Sequence, residues 1–437
     1  MKSEEDYSSH KDSGRVKKKE SFRDMNDQNR NIAGMTSSIL NVANQIIGAG
    51  ILTIPYMVHE TGVYGSLIML IFSFALSLLS AHFLAIAADY THQDTYGGIA
   101  TDLFNSSLAW FSDLALTVFN FGTSVSYSII LYDQLDDLLH LWFGIDVNFL
   151  AANHIWITLL ETFLLFIPFL GTESLNALRF TSVITMVCAT IFVAVALYLG
   201  ISQLVTDPLQ YARFPKNFAS VLSSVAIFSS ALCYHTGIPV MVKEIRYSDL
   251  SSYRNRVHML DVVNGVSSFF SALLYYLVGV FGYFAFGSSI QENILGNFVS
   301  LQFGFVHLVK AAYAVVMICS NPVIVYPSIL TIDKWFFSSS STLLRRLVEG
   351  MIWSLLAWIV ALMLPHLTIV FGLTGSTGGF IMIFTLPALF YIRICHRSRR
   401  MKKRGEDRSW LYISAHIVLW LSIVLGMIAT IVQIQSF

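Results

Sequence analysis

The stretch SSILNVANQIIGAGILTIPYMVHET, Ser37 to Thr61, decides how the chain is read. It is apolar enough to enter a bilayer, yet Gly48-Ala49-Gly50 sits near its centre and Pro55 follows closely. A helix through that point loses side-chain packing at the glycines and a backbone donor at the proline. Broken helix at membrane depth is tolerated only where the freed backbone lines a cavity or holds something. The break is therefore expected to form the floor of a substrate site.

The surrounding composition suits that reading. Of 437 residues, 55% are hydrophobic and 12% charged, and mean hydropathy is +0.63. Soluble domains carry about 25% charge, so the chain is expected to be a polytopic membrane protein. Cys188, Cys233, Cys319 and Cys395 lie far apart with no CxxC or Cys/His spacing, which predicts neither a disulfide framework nor a metal centre. Residues 1–32 are polar and charged, a disordered tail rather than a cleavable signal, and 33–437 form the transmembrane domain. No G-x-x-x-x-G-K-[ST], HExxH or GxSxG occurs, so an ATP-driven pump and an intramembrane enzyme are both disfavoured, and nothing points to nucleic acid.

Hydrophobic runs fall at about 37–60, 63–88, 108–133, 150–170, 176–200, 217–240, 258–286, 302–330, 347–365, 367–391 and 410–434. That predicts an all-α membrane protein of eleven spans, each near the ~20 residues a bilayer needs. Alternate loops, counted from the tail, hold 24 of the 27 Lys and Arg. Such asymmetry places the N-terminus in the cytosol and the C-terminus in the lumen or outside the cell. The Asn-Ser-Ser triplet at Asn105 then lies on the cytosolic side and reads as chance, not a glycosylation site.

The sixth span repeats the oddity of the first. In Ser229–Met241, SSALCYHTGIPVM, polar residues cluster mid-membrane and Gly237 and Pro239 interrupt the helix, with the break expected at His235–Pro239. Two interrupted spans five apart enter from opposite sides, the pattern of an inverted-repeat transporter with its site at the repeat interface.

At these residues the chain resembles the amino acid/auxin permease superfamily, and within it the sodium-coupled neutral amino acid transporters and the yeast vacuolar amino acid transporters. Asn41-Val-Ala-Asn44-Gln-Ile-Ile-Gly48-Ala-Gly50-Ile-Leu is similar to that family's first-span motif, N-x-x-N-x-I-x-G-x-G-I. Pro168 with Asn176-Ala-Leu, Cys233-x-His235, Asn293-Ile-Leu and Ser320-Asn-Pro322 with Pro327 follow in matching order. The resemblance implies a leucine-transporter-like fold. Spans 1–5 (about 37–200) and 6–10 (about 217–391) would be inverted repeats, with span 11 (about 410–434) appended.

It also implies roles. Gly48, Ala49 and Gly50 would receive a substrate carboxylate on backbone N–H groups; the rival reading, a small-residue packing seam, is less favoured beside Pro55. Carbonyls around Phe228, Ser229 and Ser230 would hold the substrate amine, with Tyr234 and His235 in the same site and Tyr127 as an aromatic lid. His235 suits a proton relay, but hydrogen bonding to unwound backbone is preferred. Asn44 and Ser320 match positions that attend the coupling cation in sodium-coupled relatives, with Asn41 and Asn321 able to share. Interhelical hydrogen bonding by the same side chains stays open beside that role.

Lys310 lies inside span 8, one turn from His307, and Glu161 inside span 4. Lys310 is expected to snorkel to the interface, a contact with Glu161 having no support in the pattern. The basic run Arg397–Arg404 is expected to anchor orientation rather than to bind lipid headgroups.

The expected function is secondary active transport of neutral amino acids by a monomer in the plasma membrane or a vacuolar or lysosomal membrane. Coupling would be to Na⁺ or H⁺, with no other cofactor and no metal beyond a Na⁺ at Asn44 and Ser320. The alternative from another class is an amino acid sensor signalling to cytosolic partners.

Overall fold

The computed structural model describes residues 35–166, 179–206, 211–246, 253–298, 304–337, 342–364, 366–397 and 409–435, and all regular structure among them is helical. The tail, Pro168 with Asn176-Ala-Leu, and the basic residues beyond Arg397 lie outside the described residues. Among the described residues, nine helices are long and apolar enough to cross a membrane, and one bent pair makes ten. Faces turned away from the body are apolar, as at Trp156 and Leu160, which suits contact with lipid rather than water.

The first span is broken where its glycines stand. Helix Met35–Ile46 ends, Ile47–Ala49 form a tight turn, and helix Gly50–Thr61 leaves at 52°. The sixth span is interrupted without so sharp a bend. Helix Phe218–Ala231 stops, Leu232 to Tyr234 are non-helical, His235–Gly237 make one 3₁₀ turn, and Ile238–Arg246 resumes. The break therefore begins before His235, and Pro239 lies past it. Proline is well placed in the first turn of a helix, where its missing N–H would have had no partner.

The third span runs well past its expected end at residue 133, as Ser106–Phe143. The Asn105 side chain caps its start by accepting from the Leu108 N–H at 2.9 Å, and Gly144, at φ 65°, ends it in the left-handed region. The expected end falls short because Asp133, Asp136 and Asp137 look too costly for lipid. The position of Asp137 is explained by Lys310, which does not snorkel: it is fully buried and forms an ion pair with Asp137. Glu161 does not supply that partner.

In the fourth region a short helix, Val147–Ala152, precedes His154–Phe166, and the remainder of the expected span lies outside the described residues. Residues 89–107, expected as a loop, contain helix Tyr96–Leu103, capped by Thr95 on the Gly98 N–H.

Among the nine single-helix spans of the described residues, the sixth and tenth are the most enclosed, with 83% and 72% of their apolar windows buried against 28% for the last span. Helix Tyr253–Phe286 packs on Arg179–Thr206, on Val63–Thr91 and on both halves of the first span. Helix Ser106–Phe143 packs mainly on Gly304–Phe336. The tenth span hides an irregularity: Leu367–Thr374 passes into π-helical turns at Gly375–Gly379 and Ile381–Thr385 before Leu386–Arg397. The Thr385 hydroxyl donates to the Phe380 carbonyl, five residues back, which fits the wider turn. Gly378 stands where a Cβ would come within 2.9 Å of the Ala115 carbonyl oxygen, so the third span's backbone presses directly on this turn. The last span clasps it through Thr430 to Ser376 (3.0 Å) and Thr385 to Ser422 (2.9 Å).

Candidate functional site at the two helix breaks

The two breaks meet. A Cβ at Gly50 would lie 2.9 Å from the Ala231 Cβ, and one at Gly237 would lie 2.6 Å from the Gln45 carboxamide. Only glycine allows such approach of one unwound segment to the other. Tyr275 of the seventh span joins them, its hydroxyl lying 2.5 Å from the Ile46 carbonyl oxygen and 3.2 Å from that of Ala231. One phenolic proton thus serves carbonyls freed at the ends of two different half-helices.

Gly48, Ala49 and Gly50 are buried at this junction. The half-helix beginning at Gly50 has no side-chain cap, since Ala49 offers none. Its first N–H groups and the positive end of its dipole are therefore directed into the break, a ready seat for a carboxylate. Tyr127 closes over the same point, its hydroxyl oxygen 2.5 Å from where a Gly48 Cβ would stand.

The sixth-span residues divide. The Ala231 carbonyl faces the first break through Tyr275, and Ser230 lies beside the tenth span, its Oγ 3.0 Å from a Cβ built on Gly375. The Ser229 hydroxyl instead meets Ser73 of the second span at 3.3 Å. His235 Nε2 lies 2.8 Å from Ser80 Oγ, and that hydroxyl lies 3.1 Å from the Ser77 carbonyl. The arrangement forms a donor chain if Nε2 carries the hydrogen, leaving Nδ1, which is buried without a partner among the described residues, as an acceptor. His235 thus bonds an intact neighbouring helix, not the unwound backbone expected of it. The Tyr234 ring leans on His235, with centroids 4.9 Å apart.

Residues absent from the sequence expectation complete the junction. Ser73, Ser77 and Ser80 share one face of the second span at helical spacing and all turn toward the sixth; Ser77 Oγ donates to the Leu232 carbonyl at 3.2 Å. On the seventh span, Asn264, Ser268 and Ser271 share a face with Tyr275 and are buried with side-chain polar atoms lacking a hydrogen-bond partner among the described residues. The serine spacing is visible in the sequence; nothing there marks Tyr275 or Gln45.

The residues expected to attend a cation lie on the first and eighth spans. Asn44 is buried and Asn41 half-buried on the N-terminal half of the first span. Ser320 is buried on the eighth span and its hydroxyl has no hydrogen-bond partner among the described residues, whereas Asn321 accepts from Ser124 of the third span at 2.7 Å. The first half-helix packs on Arg179–Thr206 and Tyr253–Phe286, and the eighth span on the third and fifth. Hydroxyl and carboxamide oxygens are the oxygen ligands a hard cation takes.

Tyr275→Phe tests the junction itself. The Ala231 carbonyl would lose its donor, while Ile46 keeps the Gly48 N–H at 2.9 Å. The expected loss of stability is about 1 kcal/mol, the low end of the range for an orphaned acceptor. It should appear as a lower melting temperature in detergent; an unchanged one would remove the hydroxyl from the fold's support.

Comparison with known proteins agrees with this architecture. The family described as "Transmembrane amino acid transporter protein" matches residues 32–432. Amino acid transporter AVT6B of Arabidopsis thaliana is 26% identical over 392 residues, 84% of each chain. Vacuolar amino acid transporter 5 of Schizosaccharomyces pombe is 27% identical over 84% of this chain and 86% of its own. Sodium-coupled neutral amino acid symporter 2 of Danio rerio is 24% identical over 83% and 76%. Among solved structures, MhsT in complex with L-phenylalanine superposes with a TM-score of 0.62 at 14% identity, over 92% of this chain and 99% of its own. That likeness is one of fold.

Proposed function

We propose that this chain, which belongs to the transmembrane amino acid transporter protein family, is a secondary active transporter moving neutral amino acids by alternating access, coupled to a Na⁺ or H⁺ gradient. It is a multi-pass membrane protein and not an enzyme. The full reading has eleven spans, inverted repeats of five, a cytosolic N-terminus and a monomeric unit. The substrate carboxylate meets the N–H groups that open the half-helix at Gly50, and its amine meets the second lone pairs of the carbonyls at Ser230 and Ala231, where the half-helix ends. The observation that carries this is the contact between two unwound segments, joined by one tyrosine hydroxyl. Joining them makes a single place where a zwitterion finds donors on one side and acceptors on the other.

Asn44 and Ser320 are the proposed coupling-ion ligands if the ion is Na⁺. The sodium-coupled relative supports that ion and the vacuolar relative an internal membrane. The sensing alternative has no observation in its favour. Uptake of an amino acid panel into proteoliposomes, with and without Na⁺ at two pH values, tests the whole reading. Saturable binding with no flux under either gradient would sink it. Asn44→Ala should abolish any Na⁺ dependence while leaving substrate exchange measurable, and an unaltered Na⁺ response would clear Asn44 of the role.

A further inference from the structure

Away from the helix breaks, the third and fourth helical regions and the eighth span bury a group of ionisable side chains. The face of His154–Phe166 carrying His154, Thr158, Glu161 and Thr162 is turned toward the third span and its neighbours. Thr162 Oγ1 lies 2.7 Å from the Tyr132 hydroxyl, and His154 Nδ1 lies 3.4 Å from Asp136 Oδ2. Trp358 of the ninth span donates to Thr158 at 3.0 Å and closes the other side. These bonds set Glu161 against the turn of the third span that bears Asp133 and Asp136.

The charges there do not balance. Asp137 has Lys310, Asp136 has the half-exposed His154, and Asp133 accepts from Asn293 at 3.3 Å. Glu161 has nothing: it is 5% exposed, and both carboxyl oxygens are buried with no hydrogen-bond partner among the described residues. Asp136 Oδ1 is likewise buried and unpartnered. On the ninth span, Arg345 is committed to Asp333 and Glu349. On the eighth, Lys310 is committed to Asp137.

A buried carboxylate that faces further carboxylates, with the neighbouring described cations committed elsewhere, is expensive. A bound proton removes the charge with no other rearrangement. We infer that Glu161 is a proton-binding site of the transport cycle, separate from the helix breaks and from Asn44 and Ser320. In each cycle the carboxylate gains one proton from one side and returns it to the other; an O–H bond forms and later breaks, and nothing else changes covalently. Lys310 and Asp137 link this group to the eighth span. Glu161 is thereby placed where spans 3, 4 and 8 meet. This inference rests on the transport reading, and goes beyond it in naming the coupled ion as H⁺ and its carrier.

The test uses the full chain in liposomes. Glu161→Gln mimics the protonated side chain and should fold. In the wild type, a one-unit pH gradient should support about tenfold amino acid accumulation, since one pH unit corresponds to a factor of ten. The Gln variant should lose that accumulation yet keep exchange of labelled for unlabelled substrate. Separately, infrared difference spectra between two pH values should show a protonated-carboxyl carbonyl band in the wild type that Glu161→Gln removes. If the variant accumulates like the wild type, or the wild type accumulates only under a Na⁺ gradient, the inference is wrong. If no substrate moves at all, the transport reading fails on its own. The infrared band then still decides Glu161: a band missing from the wild type, or kept in the variant, overturns the inference.

Discussion

Gly48→Ala should cut amino acid uptake about tenfold, and adding Tyr127→Phe should restore most of it. A methyl at Gly48 would sit 2.5 Å from the Tyr127 hydroxyl oxygen but 3.5 Å from the ring carbon that bears it. Only the oxygen is in the way. Overpacking costs about 1–3 kcal/mol, and ~1.4 kcal/mol is a factor of ten. Gly50→Ala offers a contrast, because its methyl would meet Ala231 at 2.9 Å from Cβ and 3.2 Å from Cα. Tyr127 is not among the atoms met there, so no rescue by Tyr127→Phe is expected. The measurement is a double-mutant cycle on initial uptake rates. Losses that simply multiply would show that Tyr127 does not close over the first break.

Asp137→Leu should be among the most destabilising single substitutions in the third span, costing about 3–5 kcal/mol, because it strips the partner from a buried ammonium. Lys310→Met should cost less. The Lys310 side chain is 0% exposed and cannot reach water when left alone, whereas that of Asp137 is 27% exposed and can. The double variant Asp137→Leu, Lys310→Met should recover much of the loss, since an ion pair replaced whole by apolar groups is often near neutral. Melting of the four purified proteins in one detergent measures this. Equal losses from the two single variants would mean the pair is not buried asymmetrically.

Much of this is legible in the amino-acid sequence. Gly48-Ala49-Gly50 announces a break because glycine and proline act locally, on their own backbone and the next turn. The sixth break is legible too, but its expected position falls a few residues late. Pro239 reads as an interruption when it in fact opens the resumed helix. The burial of Lys310 escapes the sequence for a different reason. A buried charge is intelligible only through its partner, and Asp137 is 173 residues away in the chain. A similar distance hides Tyr275, whose two acceptors belong to other spans. The π-helical turns are only half legible: Gly375, Gly378 and Gly379 mark a weak stretch of helix, but which irregular turn it adopts is decided by the neighbours' backbones.

Those wide turns in the tenth span have a mechanical meaning. A turn closed over five residues spends one more residue per circuit than an ordinary turn. The segment Gly375–Thr385 therefore holds slack. Drawn back to regular pitch, it would lengthen the span and rotate its far end without bringing any new residue into the bilayer. Thr430 on Ser376 and Ser422 on Thr385 are the catches that such a ratchet must release. In that light the last span is more than an appendage: its two hydroxyl contacts hold the tenth at the length it has here.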